Sequence, residues 1–123
     1  MYALDTNIII YFLKGELKVK EFLREKTLKG SRFFISAISE AELFGYPELT
    51  FEEISKIDDI FKTISVISID SQIARLAGFF KRKYKISLPD SIVAATSYLT
   101  NTVLLTRNIK DFKKIKEISA EFI

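Results

Sequence analysis

Short apolar runs alternate with stretches of helical periodicity along the chain, and that alternation constrains the fold more than any other feature. The first run, Met1 to Leu4, meets Asp5-Thr6-Asn7 and continues into Ile8-Ile9-Ile10-Tyr11-Phe12-Leu13-Lys14-Gly15. This is the pattern of a strand ending at an Asp that caps a buried helix, with Gly15 as the stop. Val19, Phe22, Leu23 and Thr27 mark a second helix that closes at Gly30. Arg32 to Ser36 reads as a buried strand leading into a helix from Ala37 to about Gly45. Ile54, Ile57, Phe61 and Ile64 recur at helical spacing, and Thr63 to Ile69 reads as a third strand. Asp70 or Ser71 then caps a helix whose inner face is Ile73, Leu76, Ala77, Phe80 and Tyr84. Ser87-Leu88-Pro89-Asp90 opens a helix with proline in its first turn, and Val103 to Leu105 follows as another strand.

Strands joined by helical crossovers pair in parallel and are covered on both faces. The expectation is therefore an α/β fold with three α/β/α layers, a mostly parallel central sheet of four to five strands, and a single domain over residues 1–123. Sheets of this kind build their sites outside the carboxyl ends of the strands. The uncharged stretch Thr6 to Leu13 is far short of the ~20 apolar residues a bilayer requires. No signal-peptide pattern surrounds it, so a soluble, cytoplasmic protein without membrane attachment is expected.

The absence of two residue types removes whole classes of chemistry. With no histidine there is no Ser-His-Asp triad and no histidine base; with no cysteine there is no thiol nucleophile, thiolate zinc site or disulfide. Any metal must be held by oxygen, which selects a hard cation such as Mg²⁺ or Mn²⁺. The acids are placed accordingly. Asp5 sits where the first strand ends, Glu42 lies in the helix after the second, and Asp90 stands in the first turn of a later helix. Asn108 and Asp111 follow the strand Val103 to Leu105. Carboxylates converging on one sheet edge repel by about 4 kcal/mol per pair at 4 Å and an effective dielectric near 20, a cost that a divalent cation removes.

Each of these residues also has an ordinary structural reading. Asp5 serves equally as an N-cap, and Ser87 with Asp90 as a capping box. Glu42 sits where a solvated helix residue would, with Glu40 as a rival for its role, and Asp111 before Phe112 suits the cap of a short helix.

The set as a whole resembles the PIN-domain ribonucleases and, among them, the VapC-type toxins of toxin–antitoxin modules. Tyr2-Ala3-Leu4-Asp5-Thr6-Asn7 is similar to that family's opening strand and first metal-binding Asp. In Ile35-Ser36-Ala37-Ile38-Ser39-Glu40-Ala41-Glu42-Leu43 the family's Glu-before-Leu maps to Glu42. Leu88-Pro89-Asp90-Ser91-Ile92-Val93-Ala94-Ala95 resembles its Asp-x-x-Ile/Val-Ala-Ala segment, and Thr106-Arg107-Asn108 with Asp111-Phe112 its terminal motif. The resemblance implies a Mg²⁺- or Mn²⁺-dependent endoribonuclease with metal ligands Asp5, Asp90 and Glu42. Asn108 or Asp111 would complete the pocket, and Thr6 and Thr106 would orient water or phosphate. RNA is the implied substrate, a cognate antitoxin the implied partner, and a homodimer the implied assembly. Many members carry an acid where this chain has Asn108, which makes a catalytically impaired RNA-binding or assembly module the alternative. A receiver-like signalling domain fits less well, because Asp5 has no acidic neighbour.

Net charge is only +3, but its distribution is uneven. Residues 40–59 hold seven acids and one base, whereas residues 107–116 hold five bases and one acid. Arg107, Lys110, Lys113, Lys114 and Lys116, with Lys81 to Lys85, are candidate phosphate contacts. The apolar end of the first helix (Tyr11, Phe12, Leu13), with Phe44 and Tyr46, is the candidate surface for the antitoxin.

Overall fold

In the computed structural model, which describes residues 1–123, β1 (Tyr2–Leu4) is the middle strand of a five-stranded sheet. It passes into α1 (Thr6–Leu13) and α2 (Leu17–Leu28), then β2 (Phe33–Ser36), α3 (Ala37–Phe44) and α4 (Phe51–Phe61). The chain continues through β3 (Ser65–Ile67), α5 (Ser71–Tyr84), α6 (Leu88–Thr100), β4 (Val103–Thr106), α7 (Ile109–Phe112) and β5 (Ser119–Phe122). The strand order is β3-β2-β1-β4-β5 and every pairing is parallel. Leu4 therefore stands beside both Ile35 and Leu105, and β1, β2 and β4 end side by side.

Alternate residues of a strand face opposite sides of a sheet, so each strand feeds two cores. Ala3 and Leu104 point to one side, where they meet Ile73, Ala77 and Phe80 of α5 and Ile92 and Val93 of α6. Leu4, Ile35 and Leu105 point to the other and meet Ile8, Ile9, Val19, Leu43 and Ile57 from α1 to α4. The expected three layers follow directly from this division.

Helix starts obey local chemistry. Thr50 and Glu53 form a reciprocal capping box at α4, Asp70 caps α5 through Ile73 N at 2.9 Å, and Ser87 caps α6. Lys85 and Asn101, both at positive φ, end α5 and α6 in left-handed caps.

Two elements differ from the sequence expectation. The third strand is confined to Ser65–Ile67, because Thr63 still closes the end of α4 through its backbone N and hydroxyl, both donating to the Ile60 carbonyl. β5 (Ser119-Ala120-Glu121-Phe122) carries no strong apolar signal, since an edge strand with three of its four residues exposed needs none. No helix is long and apolar enough to cross a membrane.

Phe80 is fully buried between α5, α6 and Tyr98, whereas its neighbour Phe79 is 38% exposed. Phe80→Ala is expected to lower unfolding free energy by about 3–5 kcal/mol and Phe79→Ala by ~1 or less, measured by urea denaturation.

Candidate active site

Asp5 is the residue where β1 stops and α1 starts, and its backbone is pinned at both ends. Its N–H donates to the Leu105 carbonyl at 3.0 Å, and its own carbonyl accepts from Ile8 N at 3.0 Å. The side chain is 6% exposed. Oδ1 accepts from Thr6 N and Oδ2 from the Thr106 hydroxyl, each at 2.8 Å. The capping reading of Asp5 is thus correct, and it accounts for only one of the two oxygens.

Thr106 in turn accepts from Asn108 N at 2.9 Å, which folds the chain after β4 back over the strand end. On the other side of Asp5, Thr6 Oγ1 lies 2.8 Å from both Glu42 Oε1 and Ser39 Oγ. A hydroxyl carries one proton, so Thr6 donates to the carboxylate and Ser39 completes the chain of hydroxyls. Glu42, not Glu40, is the α3 acid engaged with Thr6. Ser39 was not singled out in the sequence. Its signal was its place one turn before Glu42, which puts both on the same face of α3.

Asn108 and Asp111 act together. Asn108 Nδ2 donates to Asp111 Oδ2 at 3.1 Å, because the single turn of α7 brings residue 111 back beside 108. Asp111 also pairs with Lys114 at 3.5 Å. No basic side chain pairs with Asp5, Glu42 or Asp90.

The electrostatics record the crowding. Burial pushes the Asp5 carboxyl up to about 6, and the charges of Asp90 and Glu42 push the same way against the hydrogen bonds from Thr106 and Thr6. Burial likewise raises Asp90, with Asp111 and Glu42 adding to the rise and Ser87 opposing it. The mutual effects place Asp5, Glu42, Asp90 and Asp111 within one field.

The donor set suits a hard divalent cation. Its side-chain donors are oxygen alone, Asp5 keeps a free lone pair on each carboxylate oxygen, and three carboxylates lack a protein counter-charge. No three of them are close enough to cage an ion by side chains alone. Mg²⁺ does not demand such a cage, since it is commonly held by one or two carboxylates with water and substrate phosphate filling the remaining positions.

Arg107 departs from the sequence expectation of a phosphate contact. Its Nη2 donates to Glu16 Oε1 and its Nε to the Ile123 carbonyl. The guanidinium also stands 4.7 Å from the Tyr11 ring centroid and 5.3 Å from that of Phe122. It is a clasp joining the end of α1, the turn into α2 and the end of β5 to the strand that carries Thr106.

A parallel sheet with carboxylates gathered where β1 and β4 end, braced by threonine hydroxyls, defines an α/β protein with an acidic, oxygen-donor cluster at its strand ends. Residues 2–118 match the PIN domain family model, and the chain belongs to the PIN domain family. Ribonuclease VapC1 of Haemophilus influenzae is 29% identical, over 96% of this chain and 94% of its own. The solved VapBC-1 of nontypeable Haemophilus influenzae is 30% identical with a TM-score of 0.81, covering 98% of this chain and 96% of that one. VapBC2 of Rickettsia felis, solved with a DNA fragment from its promoter, superposes with a TM-score of 0.87 at 25% identity over 99% and 98% of the two chains.

The raised Asp5 pKa has a consequence for stability. Below about pH 4 the carboxyl is protonated in folded and unfolded chains alike and costs nothing. Between about pH 4 and 6 the unfolded chain releases this proton while the metal-free folded state keeps it, so the stability lost grows to about 3 kcal/mol, at 1.36 kcal/mol per unit, and levels off above pH 6. In EDTA, Asp5→Asn should therefore be more stable than wild type at pH 7 by about 1–3 kcal/mol, with the difference vanishing near pH 4 in urea titrations.

Proposed function

We propose that this chain is a Mg²⁺- or Mn²⁺-dependent endoribonuclease and the toxin of a toxin–antitoxin pair. The observation that carries the reading is the buried Asp5 carboxylate, which is held by the Thr106 hydroxyl and the Thr6 N–H and has two acidic neighbours and no basic partner. Capping α1 does not require the charge to be buried among other acids without a base, so the use of that crowding lies in what it binds. Support also comes from the relatives, which are named ribonucleases and solved as toxin–antitoxin complexes.

Asp5 and Asp90 would hold the ion, with Glu42 reaching it from α3. When bound, the cation supplies Lewis-acid activation of water and offsets charge on the phosphate. The residues of the chain do the rest. Thr106 holds Asp5 Oδ2 in place and Thr6 holds Glu42, so neither carboxylate needs to reorganise when RNA arrives. Asn108 would offer an amide oxygen while its amide N–H donates to Asp111. The alternative of an impaired binding module draws only on Asn108, and that residue leaves Asp5, Glu42 and Asp90 in place.

For the antitoxin, a groove of about 490 Å³ lies between α1, α3 and α4, walled by Ile10, Leu13, Leu43, Tyr46 and Leu49. Leu13 and Tyr46 belong to the surface expected from the sequence, whereas Tyr11 lies against Arg107 and Phe12 lines a separate cleft beside α2. Phe44 does not line the groove and instead stacks on Phe61 at 6.2 Å. An apolar antitoxin segment seated there is the proposed complex, and a homodimer the proposed assembly of the toxin.

Cleavage of a structured RNA is expected in Mg²⁺ or Mn²⁺, to vanish in EDTA, and to return on adding the ion. Asp90→Asn should lower the rate by at least about a hundredfold while retaining the fold, read by gel assay and circular dichroism. Sustained cleavage in excess EDTA would refute the metal-dependent reading. Asn108→Asp should tighten a second Mn²⁺ in calorimetric titration, and Asp111→Ala should cost less activity than Asp90→Ala.

A further inference from the structure

Two basic runs far apart in sequence meet on the surface. α5 ends in Lys81-Arg82-Lys83-Tyr84, followed by Lys85, and Lys113, Lys114 and Lys116 follow α7. Tyr84 joins them. Its hydroxyl donates to Glu117 Oε1 and lies 3.3 Å from the Lys116 backbone N, which donates to it. Lys83 reaches Glu117 Oε2 at 3.5 Å.

Two of these cations are neutralised within the chain, Lys83 by Glu117 and Lys114 by Asp111. The remaining five, Lys81, Arg82, Lys85, Lys113 and Lys116, are exposed and have no acidic partner. On the same end of α5 Phe79 is 38% exposed, with the Arg82 guanidinium 5.9 Å and the Lys83 ammonium 5.4 Å from its ring centroid. The surface is also joined to the carboxylate pocket, through Lys114 to Asp111 and Asp111 to Asn108.

We infer that the end of α5 and the segment after α7 form one cationic track that holds single-stranded RNA beside the carboxylate pocket, with Phe79 as its stacking platform. The inference rests on the ribonuclease reading for its choice of nucleic acid. Unpaired cations held together repel, and a phosphate backbone relieves that repulsion while releasing its own counterions. An exposed ring among cations adds what phosphate contacts lack, a face for an unstacked base. A duplex keeps its bases stacked inside and has no use for that ring. The pocket itself is acidic and repels RNA, so the substrate needs an attractive surface adjoining it.

The test uses the full chain carrying Asp90→Asn, so that RNA is bound and not cut, and a fluorescein-labelled single-stranded RNA oligomer of mixed sequence. Affinity is read by anisotropy across a KCl series. Each phosphate contact contributes about 0.7 to the salt slope for a single strand. Lys81→Ala with Arg82→Ala and Lys85→Ala should therefore flatten the slope by about 2, and Lys113→Ala with Lys116→Ala by about 1. Phe79→Ala should raise Kd about fivefold or more and leave the slope unchanged. An unchanged slope in either cationic variant overturns the joined track. A slope change with no effect of Phe79→Ala, or duplex DNA bound as tightly as the RNA, overturns the single-strand assignment. Wild-type cleavage is assayed separately in Mg²⁺. If it is absent while the slopes change as expected, the ribonuclease reading fails and the track stands.

Discussion

One buried carboxylate organises this molecule. Asp5 ends the central strand, starts the first helix, and accepts hydrogen bonds from that helix and from Thr106 at the end of β4. Because β1 lies between β2 and β4, the ends of both neighbouring strands deliver residues toward Asp5, while Asp90 comes from the first turn of α6. Glu42 arrives on the helix after β2, and Thr106, Asn108 and Asp111 arrive on the segment leaving β4. Moving the β1 register by one residue would turn Ala3 and Leu4 to the wrong cores and take Asp5 out of reach of Thr106. Packing and chemistry are specified by the same alignment.

The hydroxyls are the means by which the fold tolerates the charges. A buried carboxylate without partners is costly, and a lysine or arginine beside it would neutralise the charge that makes it useful. Threonine lowers the cost without removing the charge. Thr106 and Thr6 each hold one carboxylate, and Ser39 supports Thr6 from behind. The remaining repulsion appears in the raised pKa values of Asp5 and Asp90. Folding stability is thereby lowered by carboxylates that no base in the chain neutralises.

The arginine nearest the site is withheld from it. Arg107 follows Thr106 directly, yet its guanidinium turns toward Glu16, Tyr11 and the end of β5. This secures an edge strand that has little apolar surface of its own, and it keeps a fixed cation away from the carboxylates. The free cations stand beyond the pocket, where α5 and the segment after α7 converge. Acid inside and base outside give the site a polarity that a polyanionic substrate can follow.

Much of this was legible in the sequence, for physical reasons that act locally. Apolar runs and helical spacings specify strands and helices, Asp5, Asp70 and Ser87 cap helices through atoms a few residues away, and the absence of His and Cys leaves oxygen as the only ligand chemistry. Glu42 was favoured over Glu40 by motif likeness alone; the structure engages it through a hydroxyl 36 positions away. What only the tertiary structure decided depended on contacts between distant segments. The fifth strand is stabilised by pairing with β4 rather than by its own residues. Asn108 and Asp111, alternatives in the sequence, are made hydrogen-bond partners by the turn of α7. Arg107 looks like a phosphate contact by its position in a basic run, but its direction is set by Glu16 at the start of α2, 91 positions away in sequence. Charge type is written in the chain, but the direction in which a long side chain points is settled by the partners that folding brings within its reach.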